Sequence, residues 1–135
     1  MSDALDALPP STVLIADDNP QILELLEAYL EPLGVRVRLA GDGEATLAAV
    51  EQDEPDLILL DIMMPKRSGF EICRLLKQDR RYRDIPIVMV TALNEISDVE
   101  RAIEAGADDF LTKPVQRLEL LARVKSQINV QQIRR

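Results

Sequence analysis

The sequence predicts an α/β fold: a five-stranded parallel sheet, doubly wound, in three layers. Three observations lead there. Five short apolar segments recur along the chain, and a stretch with helical periodicity follows each one. Alternation of this kind gives a parallel sheet with helices on both faces. Leu57-Ile58-Leu59-Leu60 is apolar throughout, as a strand buried on both faces must be. Val35-Arg36-Val37-Arg38-Leu39 alternates strictly, so one of its faces meets water and it belongs at a sheet edge.

The elements follow in order. The first strand is Val13–Ala16. Asn19 caps the first helix, and Pro20 suits its first position. Ile22, Leu23, Leu25, Leu26, Tyr29 and Leu30 form its buried stripe, and Gly34 ends it in the left-handed conformation. The second strand is Val35–Leu39. The second helix runs over Glu44–Gln52, with Ala45, Leu47, Ala48 and Val50 apolar. The third strand is Leu57–Leu60. The third helix runs over Gly69–Asp79, with Phe70, Ile72, Cys73, Leu75 and Leu76 apolar. The fourth strand is Ile87–Val90, and a short helix, Ser97–Ala105, follows it and closes at Gly106. The fifth strand is Phe110–Thr112. The fifth helix starts after Pro114 and runs to about Val130. With the second strand outermost, the strand order is 2-1-3-4-5, the flavodoxin-like arrangement. Residues 1–11 read as a flexible N-terminal extension, 12–130 as the domain, and 131–135 as a C-terminal tail or the start of a linker.

Composition narrows the function. The chain has 135 residues, 47% of them hydrophobic, which suits one domain with its own core. Its net charge of −8 argues against a nucleic-acid binder and against an anionic membrane surface. Histidine is absent, which excludes a Ser-His-Asp or Cys-His nucleophile, a His-ligated zinc and a phosphohistidine of its own. Cys73 is alone, so no intramolecular disulfide forms, and it reads as a buried structural thiol. Residues 1–10 lack the features of a signal peptide, and no apolar run approaches a membrane span. The expectation is a cytoplasmic domain with no membrane insertion.

In open parallel sheets, ligands bind beyond the carboxyl ends of the strands, where strand order reverses. Here that is the end of strands one and three. Strand one runs into Asp17-Asp18, and strand three runs into Asp61. Clustered carboxylates repel and raise one another's pKa, so a bound cation explains them best. A site of oxygen ligands without His or Cys suits a hard ion, Mg²⁺ or Mn²⁺. The competing explanation for the Asp pair alone is a favourable helix start. Asp61, straight after an apolar strand, shifts the balance toward a site. Thr91 and Lys113 emerge at the same end of strands four and five. Taken alone, Thr91 reads as strand-end packing and Lys113 as a solvated charge. Together with the carboxylates, they suit an anion such as a phosphoryl group.

These residues resemble a known family. Val13-Leu14-Ile15-Ala16-Asp17-Asp18-Asn19, Leu59-Leu60-Asp61-Ile62-Met63-Met64-Pro65, Val90-Thr91-Ala92 and Gly106-Ala107-Asp108-Asp109-Phe110-Leu111-Thr112-Lys113-Pro114 look like the motifs of a receiver domain of bacterial two-component response regulators (the CheY-like superfamily). The resemblance covers residues 12–130. It implies that Asp61 is the phosphoacceptor, taking a phosphoryl group from the phosphohistidine of a sensor histidine kinase or phosphotransfer protein. It implies a Mg²⁺ site made of Asp17, Asp18, Asp61 and the backbone carbonyl of Met63, with Asp18 bound directly and Asp17 through water. Lys113 would pair with Asp61 and then with a phosphoryl oxygen, and Thr91 would bond another. Lys113-Pro114 would be a cis peptide.

The resemblance also implies a switch. Thr91 would move toward the phosphoryl group, and Phe110 would turn inward. The face made by the fourth helix, fifth strand and fifth helix would report the change and support a homodimer. Asp108 and Asp109 would pair there with Arg117 or Arg123 of a second copy. Met63 and Leu93 are apolar and cannot orient a hydrolytic water, which predicts slow self-dephosphorylation. Lys77, Arg80, Arg81 and Arg83 read as a solvated helix end. Catalysis would be limited to the chain's own phosphorylation and dephosphorylation. Three rivals compete. A haloacid-dehalogenase-like phosphatase would want an Asp where Met63 stands. A flavin-binding module would want a phosphate-cradling loop after strand one. A receiver-like scaffold would bind partners without phosphorylation.

Overall fold

The computed structural model describes residues 8–134. Strands β1 (Thr12–Ala16), β2 (Arg36–Ala40), β3 (Leu57–Leu60), β4 (Ile87–Thr91) and β5 (Asp109–Thr112) form one parallel sheet in the order β2-β1-β3-β4-β5. Helices α1 (Pro20–Leu30), α2 (Gly43–Gln52), α3 (Gly69–Gln78), α4 (Ile96–Ala105) and α5 (Arg117–Arg134) each follow one strand. The expected fold class and strand order are both present. Of the lead-in expected over residues 1–11, residues 1–7 lie outside the described residues; Leu8 packs on the core and Ser11 is buried. α5 continues past Val130, through most of the segment read as a tail, and Arg135 lies outside the described residues. No helix among the described residues is long and apolar enough to cross a membrane.

Strand periodicity separates the layers. Val13 and Ile15 face one side of β1, and Leu14 and Ala16 face the other. The first side, with Leu57, Leu59, Val88, Val90 and Leu111, packs on Leu26 and Leu30 of α1 and on Leu120, Val124 and Ile128 of α5. The second side, with Ile58, Leu60, Ile87 and Met89, packs on α2, α3 and α4 through Val50, Phe70, Ile72, Cys73, Leu76, Ala102 and Ala105. Cys73 is buried as expected; its thiol donates to the Ala105 carbonyl at 3.4 Å, and burial pushes its pKa up to about 11.

The helix ends follow local chemistry. The Asn19 side chain accepts from the Gln21 N–H at 2.9 Å, with Pro20 at the first helical position. A 3₁₀ turn, Glu31–Leu33, intervenes before Gly34, whose φ of 68° ends the segment. Asp42 and Ser68 cap α2 and α3, and Gly106 closes α4.

Leu25 differs from the expected buried stripe, and not every apolar helix position is buried. Leu25 and Leu75 are each 41% exposed, and Ala45 and Ala48 face solvent, while Thr46 is fully buried. The buried stripes of α1, α2 and α3 are therefore narrower than their apolar spacing. On β2, Val37 packs inward but Leu39 is 46% exposed. Its arginines do more than meet water: Arg38 donates to the Ala49 and Asp53 carbonyls and Arg36 pairs with Asp53. They close the C-terminus of α2, where positive charge is favoured.

Lys77 is not part of a solvated helix end. Its ammonium donates to Asp108 Oδ2 at 2.8 Å and to the Ile85 carbonyl at 2.7 Å, and both side chains of the pair are largely buried. Asp108 Oδ2 also accepts from the Ile87 N–H at 2.8 Å. One ion pair thus joins α3 to the start of β4 and the approach to β5. Lys77→Met leaves Asp108 short of its cation, and the expected loss is about 2 kcal/mol of unfolding free energy. Urea titration checks this; Arg80→Ala, at an exposed position, should fall within about 0.5 kcal/mol of wild type.

Candidate functional site

The site grows from register. Ala16 of β1 pairs with Leu60 of β3, so Asp17 and Asp61 leave adjacent strands at the same level. Asp61 N–H donates to the Ala16 carbonyl at 2.9 Å, and Asp17 N–H donates to the Ala40 carbonyl at 3.0 Å. These bonds extend the sheet by one residue and hold both side chains at its carboxyl edge. Thr91 pairs with Thr112, and Lys113 N–H donates to the Thr91 carbonyl at 2.8 Å. Strand order therefore collects four chain segments at one edge, beside the switch point between β1 and β3.

The side chains then converge. Carboxylate oxygens of Asp17, Asp18 and Asp61 lie within 4.8 Å of one another. Asp17 and Asp61 are 2% and 5% exposed, whereas Asp18 faces solvent. Lys113 Nζ donates to Asp17 Oδ2 at 2.7 Å and lies 3.4 Å from Asp61 Oδ2. The expected pairing with Asp61 is present, and Asp17 is a second, tighter partner. The Lys113-Pro114 bond is cis. Asp17 Oδ1 accepts from the Asn19 N–H at 2.9 Å, and Asp61 Oδ1 accepts from the Ile62 N–H at 2.8 Å. Thr91 is fully buried, Phe110 is half-buried, and the Met63 side chain is exposed.

The electrostatics are unbalanced toward negative charge. Burial, then the charge of Asp17, raises the Asp61 pKa; Lys113, Thr91 and the Ile62 N–H act against them without prevailing. Burial alone would lower the Lys113 pKa, but its hydrogen bond to Asp17 and the charges of Asp61 and Asp17 raise it overall. One ammonium thus serves a cluster of three carboxylates and pairs with two of them, Asp17 and Asp61. The remaining charge, the all-oxygen donor set and the short oxygen separations fit a hard divalent cation.

Sequence reading overlooked the residues that frame the loop between β3 and α3. Gly69 is one: a Cβ there would lie 2.2 Å from the Asp61 carbonyl oxygen. The Gly69 N–H donates to the Ile62 carbonyl at 2.8 Å, folding the loop back beneath the site. The glycine eight residues after Asp61 is a visible signal, but its steric role depends on the loop's path. The face near β5 also differs from expectation. Asp109 lies 3.3 Å from Arg123, and Asp108 pairs with Lys77, so both acids have partners within the chain.

The raised pKa of Asp61 has a measurable consequence. Its ionised form costs stability at neutral pH, so Asp61→Asn is expected to stabilise the fold in the presence of a chelator. With the folded pKa above 3.8, the wild type loses stability as pH rises from 3.8 through that value. The variant's advantage therefore appears over that window and vanishes below it. Urea titrations near neutrality and at about pH 3 test this, and an equal advantage at both would contradict it.

Comparison with known proteins matches this geometry. The family model for the response regulator receiver domain matches residues 13–125. The DNA-binding dual master transcriptional regulator RpaA of Synechocystis is 46% identical over 114 residues, covering 84% of this chain and 47% of that protein. The chain spans half or less of the length of the curated relatives it matches. The CheY-like receiver domain protein of Methanospirillum hungatei aligns with a TM-score of 0.87 at 28% identity, over 94% of this chain and 100% of that one. The receiver domain of sensor histidine kinase PA1611 from Pseudomonas aeruginosa, solved with a magnesium ion in its active-site cleft, aligns at 0.82 with 32% identity, over 90% of this chain and 99% of that one. With a family match across nearly its whole length and an acidic edge built at the sheet's switch point, the chain belongs to the response regulator receiver domain family.

Proposed function

We propose that Asp61 accepts a phosphoryl group from the phosphohistidine of a sensor histidine kinase or phosphotransfer protein, and that this charge event switches a partner-binding face. The observation that carries the reading is the convergence of Asp17, Asp18 and Asp61, with the Lys113 ammonium paired to Asp17 and Asp61. An Asp61 carboxylate oxygen attacks the phosphorus. The P–N bond to the donor imidazole breaks, and the imidazole leaves neutral, keeping the proton already carried on its other ring nitrogen. Asp17, Asp18, Asp61 and the Met63 carbonyl would hold Mg²⁺, with Mn²⁺ as a substitute. The bound ion would offset charge on the phosphoryl oxygens. The magnesium in the cleft of the PA1611 receiver supports that assignment.

Lys113 would leave Asp17 to meet one phosphoryl oxygen, and Thr91 would donate its hydroxyl to another. Movement of Thr91 vacates space, and Phe110 turns inward behind it. A groove of about 220 Å³ beside Phe110, between α4 and β5, gives the ring and α4 room to rearrange. The face reporting the change is α4-β5-α5, where Ile96, Ile103 and Leu118 are 78%, 68% and 76% exposed. These apolar residues suit a protein partner, including a second copy of the chain. DNA contact is a property of the relative RpaA and falls to none of these residues, whose net charge is −8. Catalysis is limited to the chain's own phosphorylation and slow dephosphorylation, and the working location is the cytoplasm.

Intact mass after incubation with Mg²⁺ and a small phosphodonor tests the acceptor. Wild type should gain one phosphoryl group and Asp61→Asn none. No gain in wild type under varied donor and metal would favour a scaffold that binds partners without phosphorylation. The same measurement followed over time tests the lifetime: Met63 and Leu93 offer no polar group to position water, so the phosphoryl mass should decline slowly. Rapid loss from the purified protein would contradict that.

A further inference from the structure

We infer that Arg67 is a positioning residue for the metal site, acting as a clamp that fixes the β3–α3 loop and with it the Met63 carbonyl. The inference rests on the proposed Mg²⁺ site. It starts from how the loop is held. At its base, the Ile62 carbonyl accepts from both the Met64 N–H at 3.2 Å and the Gly69 N–H at 2.8 Å. Met63 lies within that closed loop. At its apex, Pro65–Arg67 presses on the N-terminus of α2. The Gly43 N–H donates to the Pro65 carbonyl at 3.3 Å, and a Cβ on Gly43 would lie 2.6 Å from Arg67 Cβ and 2.7 Å from the Arg67 carbonyl oxygen.

Arg67 closes the assembly. Its Nε donates to Glu44 Oε1 at 2.6 Å, and its Nη1 donates to Glu71 Oε2 at 2.8 Å. One guanidinium thereby joins the first turn of α2 to the first turn of α3, across the loop that leaves the phosphoacceptor. Lys66 adds a weaker contact to Asp42 at 3.5 Å. Lys66 also holds a φ of 73°, unfavourable for a residue with a side chain, so surrounding contacts must impose the loop's path. The three charged groups are 37% to 54% exposed, and exposed ion pairs add little to global stability. Their effect is local: they limit where the backbone between Asp61 and Arg67 can go. A metal that takes a backbone carbonyl as ligand depends on that restriction, because an unfixed carbonyl must be ordered when the ion binds.

The two-carboxylate fork suits a guanidinium. A lysine at this position reaches one carboxylate at a time and leaves the other untethered. Gly43 acts on the same loop without charge, since any side chain there pushes the apex away from α2.

Calorimetric titration of the full chain with MgCl₂ alone, with no phosphodonor, tests the clamp. Wild type is compared with Arg67→Met, Arg67→Lys and Gly43→Ala, and the Tm of each is taken in a chelator. Arg67→Met and Gly43→Ala should each raise the Mg²⁺ Kd about tenfold, and Arg67→Lys should fall between them and wild type. The metal-free Tm should change little in Arg67→Met. Wild-type Mg²⁺ affinity in both Arg67→Met and Gly43→Ala overturns the clamp and leaves the metal site standing. A lowered Tm with unchanged affinity overturns it equally, since that is a purely structural role. Absence of Mg²⁺ binding in wild type overturns the metal reading, and the clamp with it.

Discussion

Everything at this protein's carboxyl edge depends on keeping carboxylates close against their repulsion. Asp17 and Asp61 are buried side by side, Asp18 stands next to them, and Lys113 is the cation placed between Asp17 and Asp61. No short peptide would hold that arrangement, because separation relieves it. The fold enforces it by pairing β1 with β3 and burying both strands in apolar contacts. The apolar strand residues stabilise the sheet, and the sheet holds the acids. The unsatisfied negative charge left there suits a hard divalent cation.

The rest of the molecule divides into parts that resist movement and parts that permit it. The Lys77–Asp108 pair, largely buried, ties α3 to the entries of β4 and β5. The β3–α3 loop is closed at its base by the Ile62 carbonyl and at its apex by contacts with α2. α4 is held less firmly. Its buried residues are Ala102 and Ala105, both small, and its large residues Ile96 and Ile103 point outward. A helix that buries little apolar area is the easiest to shift. That asymmetry suits the proposed signal output on the α4 side, in contrast to the more firmly held β3–α3 loop.

Much of the fold is legible in the amino-acid sequence. Strand alternation and βα order predict the sheet, its edge strand and its strand order, because period-two patterning and chain connectivity are local features. Local chemistry also announces Asn19 as a cap and Gly34 as a stop. The departures share one cause. Leu25, Leu75, Ala45 and Ala48 fit an apolar stripe by spacing, yet solvent reaches them, because burial depends on neighbours that spacing does not specify. Lys77 reads as surface charge because Asp108 lies 31 residues away in sequence. The spacing of Arg67 and Glu71 is local, but the bridge is invisible for the same reason: its other partner, Glu44, lies 23 residues before it.

The sequence by itself determined the fold class, the positions of the strand ends and the residue types that arrive there. Those follow from hydrophobic periodicity and from where apolar runs stop. Only the tertiary structure decided how the charges are shared: Lys113 closer to Asp17 than to Asp61, Asp109 joined to Arg123 within the chain, and Arg67 bridging two helices. Pairing depends on distances of a few ångströms between side chains far apart along the chain. Packing sets those distances, and no local pattern encodes them.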